Sequence, residues 1–460
     1  MRMQLARGFL VLGILAASSA LGQNQFQGSV AMGKASPTPI ALSLHDAIDR
    51  GLKANLGLLV SDSTSESVRG QRLQALSALL PEVHAQGTQV EEQSSLKTIG
   101  FNFHFPGVSI PTILGPFHYT DVRAYATWNV YDYTARKDYR AAQENRRAAQ
   151  LSVQDARDLV VQATASAYLQ IIADASRTQA ILSQVQTSQA IYERAVDQQN
   201  AGTAAGIDVL RSQVELKEQQ QRLRAQQNQF DKDKLALSRV IGLPPGQDFN
   251  LSETAPFSPL TSLTQEQALT TALAQRSDYQ SYQARVRAAE DSVKAAHGER
   301  YPTASVAGDY GDVGSTLASS HGTFSFTAAA KVNLFDGGRI SGDEIQAKAA
   351  LKQRMDELAD LAGQIDYQVR TAFLDLATAA DQVRVAEDNL DLANQTLVQA
   401  RDRFTAGVTN NIEVVQAQES VATANDNVIA ALYAHNLAKV DLARALGGGE
   451  QGMQKLMEVK

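Results

Sequence analysis

The chain contains no cysteine. It therefore has no disulfide staple, no thiolate nucleophile or metal ligand, and no sulfur to carry a lipid. Histidine is scarce too, with seven residues scattered at no zinc-like spacing. Basic residues do not dominate: 42 Lys and Arg face 49 Asp and Glu, for a net charge of −7. With no basic patch interleaved with aromatics, a nucleic-acid partner is excluded. A phosphate-binding glycine loop, a nucleophile motif and a readable acid pair are all missing, so the reading is of a protein that is not an enzyme, with no cofactor, no metal and no catalytic residues. Apolar runs are short. The main one, Gly8 to Ala17, follows Arg2 and Arg7 and precedes the small residues Ser18 to Gly22. That pattern predicts a signal peptide over 1–22. The run is about half the ~20 residues that a spanning helix needs, which weighs against a membrane anchor. Residues 23–41, rich in Gly, Ser, Gln and Pro, are expected to be a flexible leader.

What the chain does have is a copy of itself. Ala47 and Ala268 stand 221 apart, and so do Pro81 and Pro302. Trp128-Asn129-Val130-Tyr131-Asp132 matches Val332-Asn333-Leu334-Phe335-Asp336 at an offset of 204. Gly202 to Val209 matches Gly407 to Val414, and Leu237 to Gly242 matches Leu442 to Gly447, both at 205. Matches in one order, with the offset changing once inside a loop-like stretch, indicate duplication. The first repeat spans 42–242 and the second 263–447. Between them lies a linker over 243–262 whose Pro244, Pro245, Pro256 and Pro259 exclude a helix. Residues 448–460 are left as a C-terminal tail.

Each repeat predicts the same elements. One helix runs to Pro81 or Pro302. An alternating segment follows, then a proline-free stretch over about 135–199 or 339–405, a glycine turn, and a further helix of about 35 residues. Val153, Val160 and Ala167 recur at seven-residue steps, which suits coiled-coil packing. By itself this would describe an antiparallel coiled-coil spacer. The alternating segments change the class. Val122, Ala124, Ala126, Trp128 and Val130 alternate with Arg123, Tyr125, Thr127, Asn129 and Tyr131. Phe324, Phe326, Ala328, Ala330, Val332 and Leu334 do the same with polar or small neighbours. Period-two alternation gives a strand with one apolar face. With partner strands starting after each proline, the chain offers two hairpins. These could pack on helices in a soluble protein, or face lipid. Four strands cannot close a barrel in lipid, eight would fill with side chains, and three chains would supply 12.

These features resemble the TolC-like outer-membrane efflux protein family, from about Leu42 to Gly447. The resemblance rests on the duplicated plan, the proline after each first helix, Asn333-Leu-Phe-Asp-Gly-Gly338, and the Phe404-x-x-Gly407-x-x-x-x-Ile412 turn. It implies a mixed α and β membrane protein: a homotrimer with a 12-stranded β-barrel in outer-membrane lipid, and a periplasmic α-barrel of long coiled-coil helices. It further implies a periplasmic adaptor (a membrane fusion protein) and an inner-membrane pump as partners, in a tripartite efflux or type I secretion system. The family's acidic entrance maps onto Glu413, with Gln416 where a second acid can stand and Asp208 at the matching place in the first repeat. A carboxylate in a helix's first turn is equally explained by the helix dipole, with Asn411 as N-cap. Gly202, Thr203, Ile207, Phe404, Gly407, Val408 and Ile412 are expected at turns or adaptor contacts. The insert Phe101 to Phe117 is expected as an external loop. The rival readings are a periplasmic coiled-coil adaptor or structural protein, and a secreted hydrolase. The first would need a lipoyl-like or barrel domain beside one hairpin, and the second a compact α/β core.

Overall fold

The computed structural model describes residues 25–457 apart from 99, 101–110, 204, 254–256, 259–262, 407 and 410, with backbone alone at 25, 317, 411 and 454–457. The expected signal peptide and most of the insert lie outside the described residues. In chain order the elements are β1 (Ile40–Leu42), α1 (Leu44–Ala54), α2 (Leu56–Ser77), β2 (Glu82–Ser95), β3 (Ile113–Tyr131), α3 (Tyr133–Asn200) and α4 (Gly206–Val240). The second repeat gives β4 (Phe249–Leu251), α5 (Gln265–Gln275), α6 (Ser277–Gly298), β5 (Thr303–Gly314), β6 (His321–Lys331), α7 (Arg339–Thr405), α8 (Asn411–Leu446) and α9 (Gly449–Met457). The 68 residues of α3 rise about 100 Å at the α-helical pitch. The chain divides into two compact units. One holds residues 66–148 and 282–358, the other everything else described.

The smaller unit contains a four-stranded antiparallel sheet in the order β2-β3-β5-β6. Its register aligns the apolar rows. Phe326 lies opposite Gly308, which lies opposite Ala126 and then Val83. Phe324, Tyr310, Ala124 and Ala85 form the next row. Directly opposed residues share a face, so this face is apolar through these rows, and it turns polar further along, where Asp312 lies opposite Val122 and Thr120 opposite Gln89. It is also bare: Phe324 is 79% exposed and Phe326 73%. The other face carries His84, Gln86, Arg123, Tyr125, Asp309, Thr323 and Ser325. There Arg123 pairs with Asp309 and donates to Thr323 Oγ1 at 2.7 Å. Two details depart from the expected alternation. A bulge between Asn129 and Tyr131 shifts the register, so Tyr131 lies opposite Ala304 in the apolar row and not in the polar one. Strand β6 ends at Lys331, leaving Val332 and Leu334 outside the sheet.

In the larger unit the single first helix expected for each repeat is two. The breaks fall at Asn55 and Arg276, 221 apart like the other matches, and both residues are extended, with ψ of 128° and 122°. Neither is Pro or Gly, so side-chain bonds, both local and from distant residues such as Phe26 and Gln368, hold them. Asn55 Nδ2 donates to the Phe26 carbonyl at 2.7 Å, and its Oδ1 accepts from Gly57 N–H at 2.9 Å. The Arg276 guanidinium grips Asp278 through Nε at 3.0 Å and Nη2 at 2.6 Å. Both repeats open with a capping box, Ser43 with Asp46 and Thr264 with Gln267. Gly242 and Gly447 close α4 and α8 at φ of 70° and 72°. Each sits against a break: a Cβ on Gly242 would stand 2.3 Å from Ala54 Cβ, and one on Gly447 2.9 Å from Arg276 Cα.

The principal core joins both repeats. Leu42, Leu44 and Ile48 pack with Tyr168, Ile171, Leu237, Phe249, Val440 and Met453. Tyr168 is wholly buried, and its hydroxyl donates to the Leu42 carbonyl at 2.9 Å. Parts of the expected leader and linker take part, since β1 pairs in parallel with β4, Ile40 opposite Phe249. The expected tail likewise forms α9, which returns Met453 to this core.

Candidate functional site

The residues that the family resemblance marks gather where α3 turns into α4 and α7 into α8. The first turn closes because Gly202 takes φ of 74°, where a side chain is disfavoured. Thr203 N–H then donates to the Gln198 carbonyl at 2.9 Å, and its hydroxyl adds a bond to the same oxygen at 3.0 Å. This five-residue closure satisfies the helix's last carbonyls. The second turn repeats it, with Val408 N–H on the Arg403 carbonyl at 3.0 Å. Gly407 lies outside the described residues.

Asp208 and Glu413 are each the third residue of their helix. There, negative charge meets the exposed N–H groups and the positive end of the dipole. Ala205 precedes α4 and gives no side-chain cap. Asn411, expected as an N-cap, is instead the first residue inside α8. The two acids differ in partner. Asp208 faces Arg211 one turn on, at 3.5 Å. Glu413 reaches back across the turn to Arg403 at 3.3 Å, both side chains well exposed. This pair has no signature in the sequence, because ten residues across a turn is not a helical spacing.

Between the starts of α4 and α8 runs an apolar groove of about 410 Å3. Ile207, Leu210 and Val214 line one wall, Ile412 and Val415 the other, and Gln416, Arg211, Glu215 and Glu218 form the lip. Gln416, expected at an entrance with Glu413, thus shares a groove with Ile207 and Ile412. Leu210 and Val214 are 59% and 58% exposed, so the stripe is not spent on packing. Sequence spacing marks these residues as a helix face but cannot tell a covered face from a bare one. Phe404 turns the other way, into a cluster with Ile191, Ala400, Val414 and Ala417. It holds the turn, while Val408 and Thr203 stay at the surface. Hydrogen-bond donors, acceptors and a hydrophobic slot are what this place offers; they suit docking and electrostatic filtering.

A second feature fixes how these helices are held. Arg444 Nη2 binds Asp155 at 2.5 Å and stands 3.8 Å from Asp278, which Arg276 already grips. Burial works to raise the Asp278 carboxyl, but the Arg276 hydrogen bond and charge outweigh it, and the net shift is downward. Asp158 beside them gains no such bond, and burial pushes its carboxyl up to about 6. Sequence reading passed over this network because its members are 289 and 166 residues apart at the extremes, joined only by folding.

Residues 268–448 match the family model described as outer membrane efflux protein. Outer membrane protein OprJ of Pseudomonas aeruginosa is 27% identical over 337 residues, which cover 68% of this chain and 65% of OprJ. The pyoverdine export outer membrane protein OpmQ of Pseudomonas putida is 23% identical, covering 62% and 61%. The match thus spans less than two thirds of those relatives' length. Among solved structures, the Campylobacter jejuni CmeC outer membrane channel aligns with a TM-score of 0.77 at 16% identity, over 94% of this chain and 95% of that one. VceC of Vibrio cholerae aligns at 0.76 and 19%, over 88% and 96%. The fold is therefore that of these channels: a duplicated unit contributing four strands and two long helical hairpins per chain. Residues 268–448 thus resemble the outer membrane efflux protein family, and the fold of the described chain is shared with solved outer membrane channels.

Proposed function

We propose that this chain is the passive exit duct of a tripartite efflux or type I secretion system, leading from the periplasm through the outer membrane. One observation carries the reading: a four-stranded sheet has a bare apolar face, a polar face, and outer edges on β2 and β6 that pair with no other described strand. Each unpaired backbone group in lipid costs several kcal/mol, so such a sheet must close. Three copies supply 12 strands, with the apolar rows to lipid and the Arg123 and Asp309 face to the lumen. No helix among the described residues is long and apolar enough to cross a membrane.

The helix turns then serve as the periplasmic end. The groove of Ile207, Leu210, Val214, Ile412 and Val415 is fitted to receive an apolar ridge from the adaptor, with Gln416 and Glu218 at its lip. Three Glu413 carboxylates around one axis attract cations, and Arg403 tempers each of them within its own chain. Selection of cargo then falls to the pump. The test is reconstitution of the purified chain in planar bilayers. A stable ohmic conductance with a weak cation preference supports the duct, and bilayers that stay insulating with correctly folded protein refute it.

A further inference from the structure

We propose that His45, Asp49 and Glu450 form a binding site for a divalent transition-metal ion, with Zn2+ as the type ligand, that clamps the C-terminal helix α9 to the opening helix α1. One imidazole nitrogen and two carboxylates offer donor atoms that all lie within 4.8 Å of one another. His45 Nδ1 and Glu450 Oε1 are already 3.5 Å apart. Zn2+ binds such nitrogen and oxygen donors at about 2.0–2.2 Å, which puts tetrahedral neighbours about 3.3–3.5 Å apart, so modest rotamer changes complete a three-ligand set with water as fourth. Sulfur is absent, which suits Zn2+, Ni2+ or Cu2+ over Cu+.

The backbone beneath these side chains is fixed. His45 and Asp49 are four apart on α1 and share a face. Their neighbours Leu44 and Ile48 are buried in the principal core. Met453, three residues after Glu450 on α9, enters the same core and is 2% exposed. The contact that buries Met453 therefore holds Glu450 over α1 at the rim of the core. The glycines before it set the angle, Gly447 at φ of 72° and Gly449 at 53°. Asp46 is not a fourth ligand, because it closes the capping box with Ser43. Lys53 stands 3.7 Å from Asp49 across an exposed pair. That is a weak competitor, since exposed pairs contribute little. With the ligands drawn from residues before the first repeat's hairpin and after the second repeat's last helix, an ion here ties the two ends of the described chain.

The experiment is calorimetric titration of ZnCl2 into the full-length, tag-free protein in detergent after chelator treatment, with wild type, His45→Ala and Glu450→Gln compared. His45 and Glu450 are at the surface, so both variants should melt as wild type does without metal. The expected result is one ion per chain, with affinity falling at least about tenfold in each variant. Hydrogen exchange should slow in Gly449–Met457 on adding Zn2+ to wild type and stay unchanged in His45→Ala. Equal Zn2+ affinity in wild type and both variants, or no binding by wild type, overturns the site. Binding that leaves exchange in α9 unaltered overturns the clamp.

Discussion

Phe326→Arg is the substitution that most sharply tests which face of the sheet meets lipid. Phe326 lies near the middle of the 11-residue β6, in the row that continues through Gly308 and Ala126, and is 73% exposed in the single chain. If that row faces hydrocarbon, an arginine there costs about 2–4 kcal/mol near the midplane. A trimer carries it three times, for about 6–12 kcal/mol per assembled barrel. Thr327→Arg is the paired control. It is one residue on, so it lies on the polar face with Thr127 and Ala307. Trp128 would be a poorer probe. Its indole N–H donates to the Leu79 carbonyl at 3.0 Å, and it stands three residues from the end of β3 with Tyr131, as aromatic residues do at a membrane border. A charge there costs only about 0–1 kcal/mol. The assay is folding into lipid vesicles under a urea series, read by retarded migration of unheated samples. Phe326→Arg should lower the folding midpoint or abolish insertion, while Thr327→Arg inserts nearly as wild type. Equal insertion of both would show that the apolar row does not face lipid.

Arg276→Ala leaves the buried Asp278 without its two-pronged partner and should cost about 3–5 kcal/mol, whereas Arg287→Ala, which breaks a more open pair with Glu144, should cost about 0–1 kcal/mol; thermal melting in detergent separates them. Asp158 has a folded-state carboxyl raised to about 6 against 3.8, so its contribution to stability is full at low pH and is lost as pH rises through that window. Asp158→Asn should therefore melt above wild type at pH 7.5 and show no gain at pH 4. Gly242→Ala meets both a left-handed backbone and Ala54 Cβ, and should cost about 2–4 kcal/mol, while Gly246→Ala at φ of 85° in open space should cost about 1–2 kcal/mol; equal losses would show that the contact with Ala54 is not tight. Glu413→Gln should reduce cation preference in planar bilayers with assembly intact, and Arg403→Gln should increase it, because the pair at 3.3 Å opposes them. Unchanged selectivity in both would leave the carboxylate with its dipole role alone.

The long helices were legible because nothing interrupts them. From Tyr133 to Asn200 and from Arg339 to Thr405 there is no proline, and the apolar steps persist. The hairpins were legible from alternation and the prolines before them. The breaks at Asn55 and Arg276 were not, because local propensity favours continuing each helix. Contacts from Phe26, Gly447 and Gln368 decide them, and those arrive from far along the chain. Tyr131 changed faces through a one-residue bulge that leaves no mark on the pattern. At the turns, the glycine position and the equivalent acids Asp208 and Glu413 were readable from the duplication. The bare stripe of Ile207, Leu210 and Val214 was not distinguishable from a core stripe, and the inward turn of Phe404 depends on Ile191 of a different helix.

The central claim is that one chain cannot close its own sheet. Native mass measurement of the full chain extracted from outer membranes in mild detergent addresses this directly, because β2 and β6 leave two edges that pair with no other described strand. A single species of three chains, retained when the detergent is diluted, is the predicted result. A stable membrane-extracted monomer with its sheet intact would contradict the account.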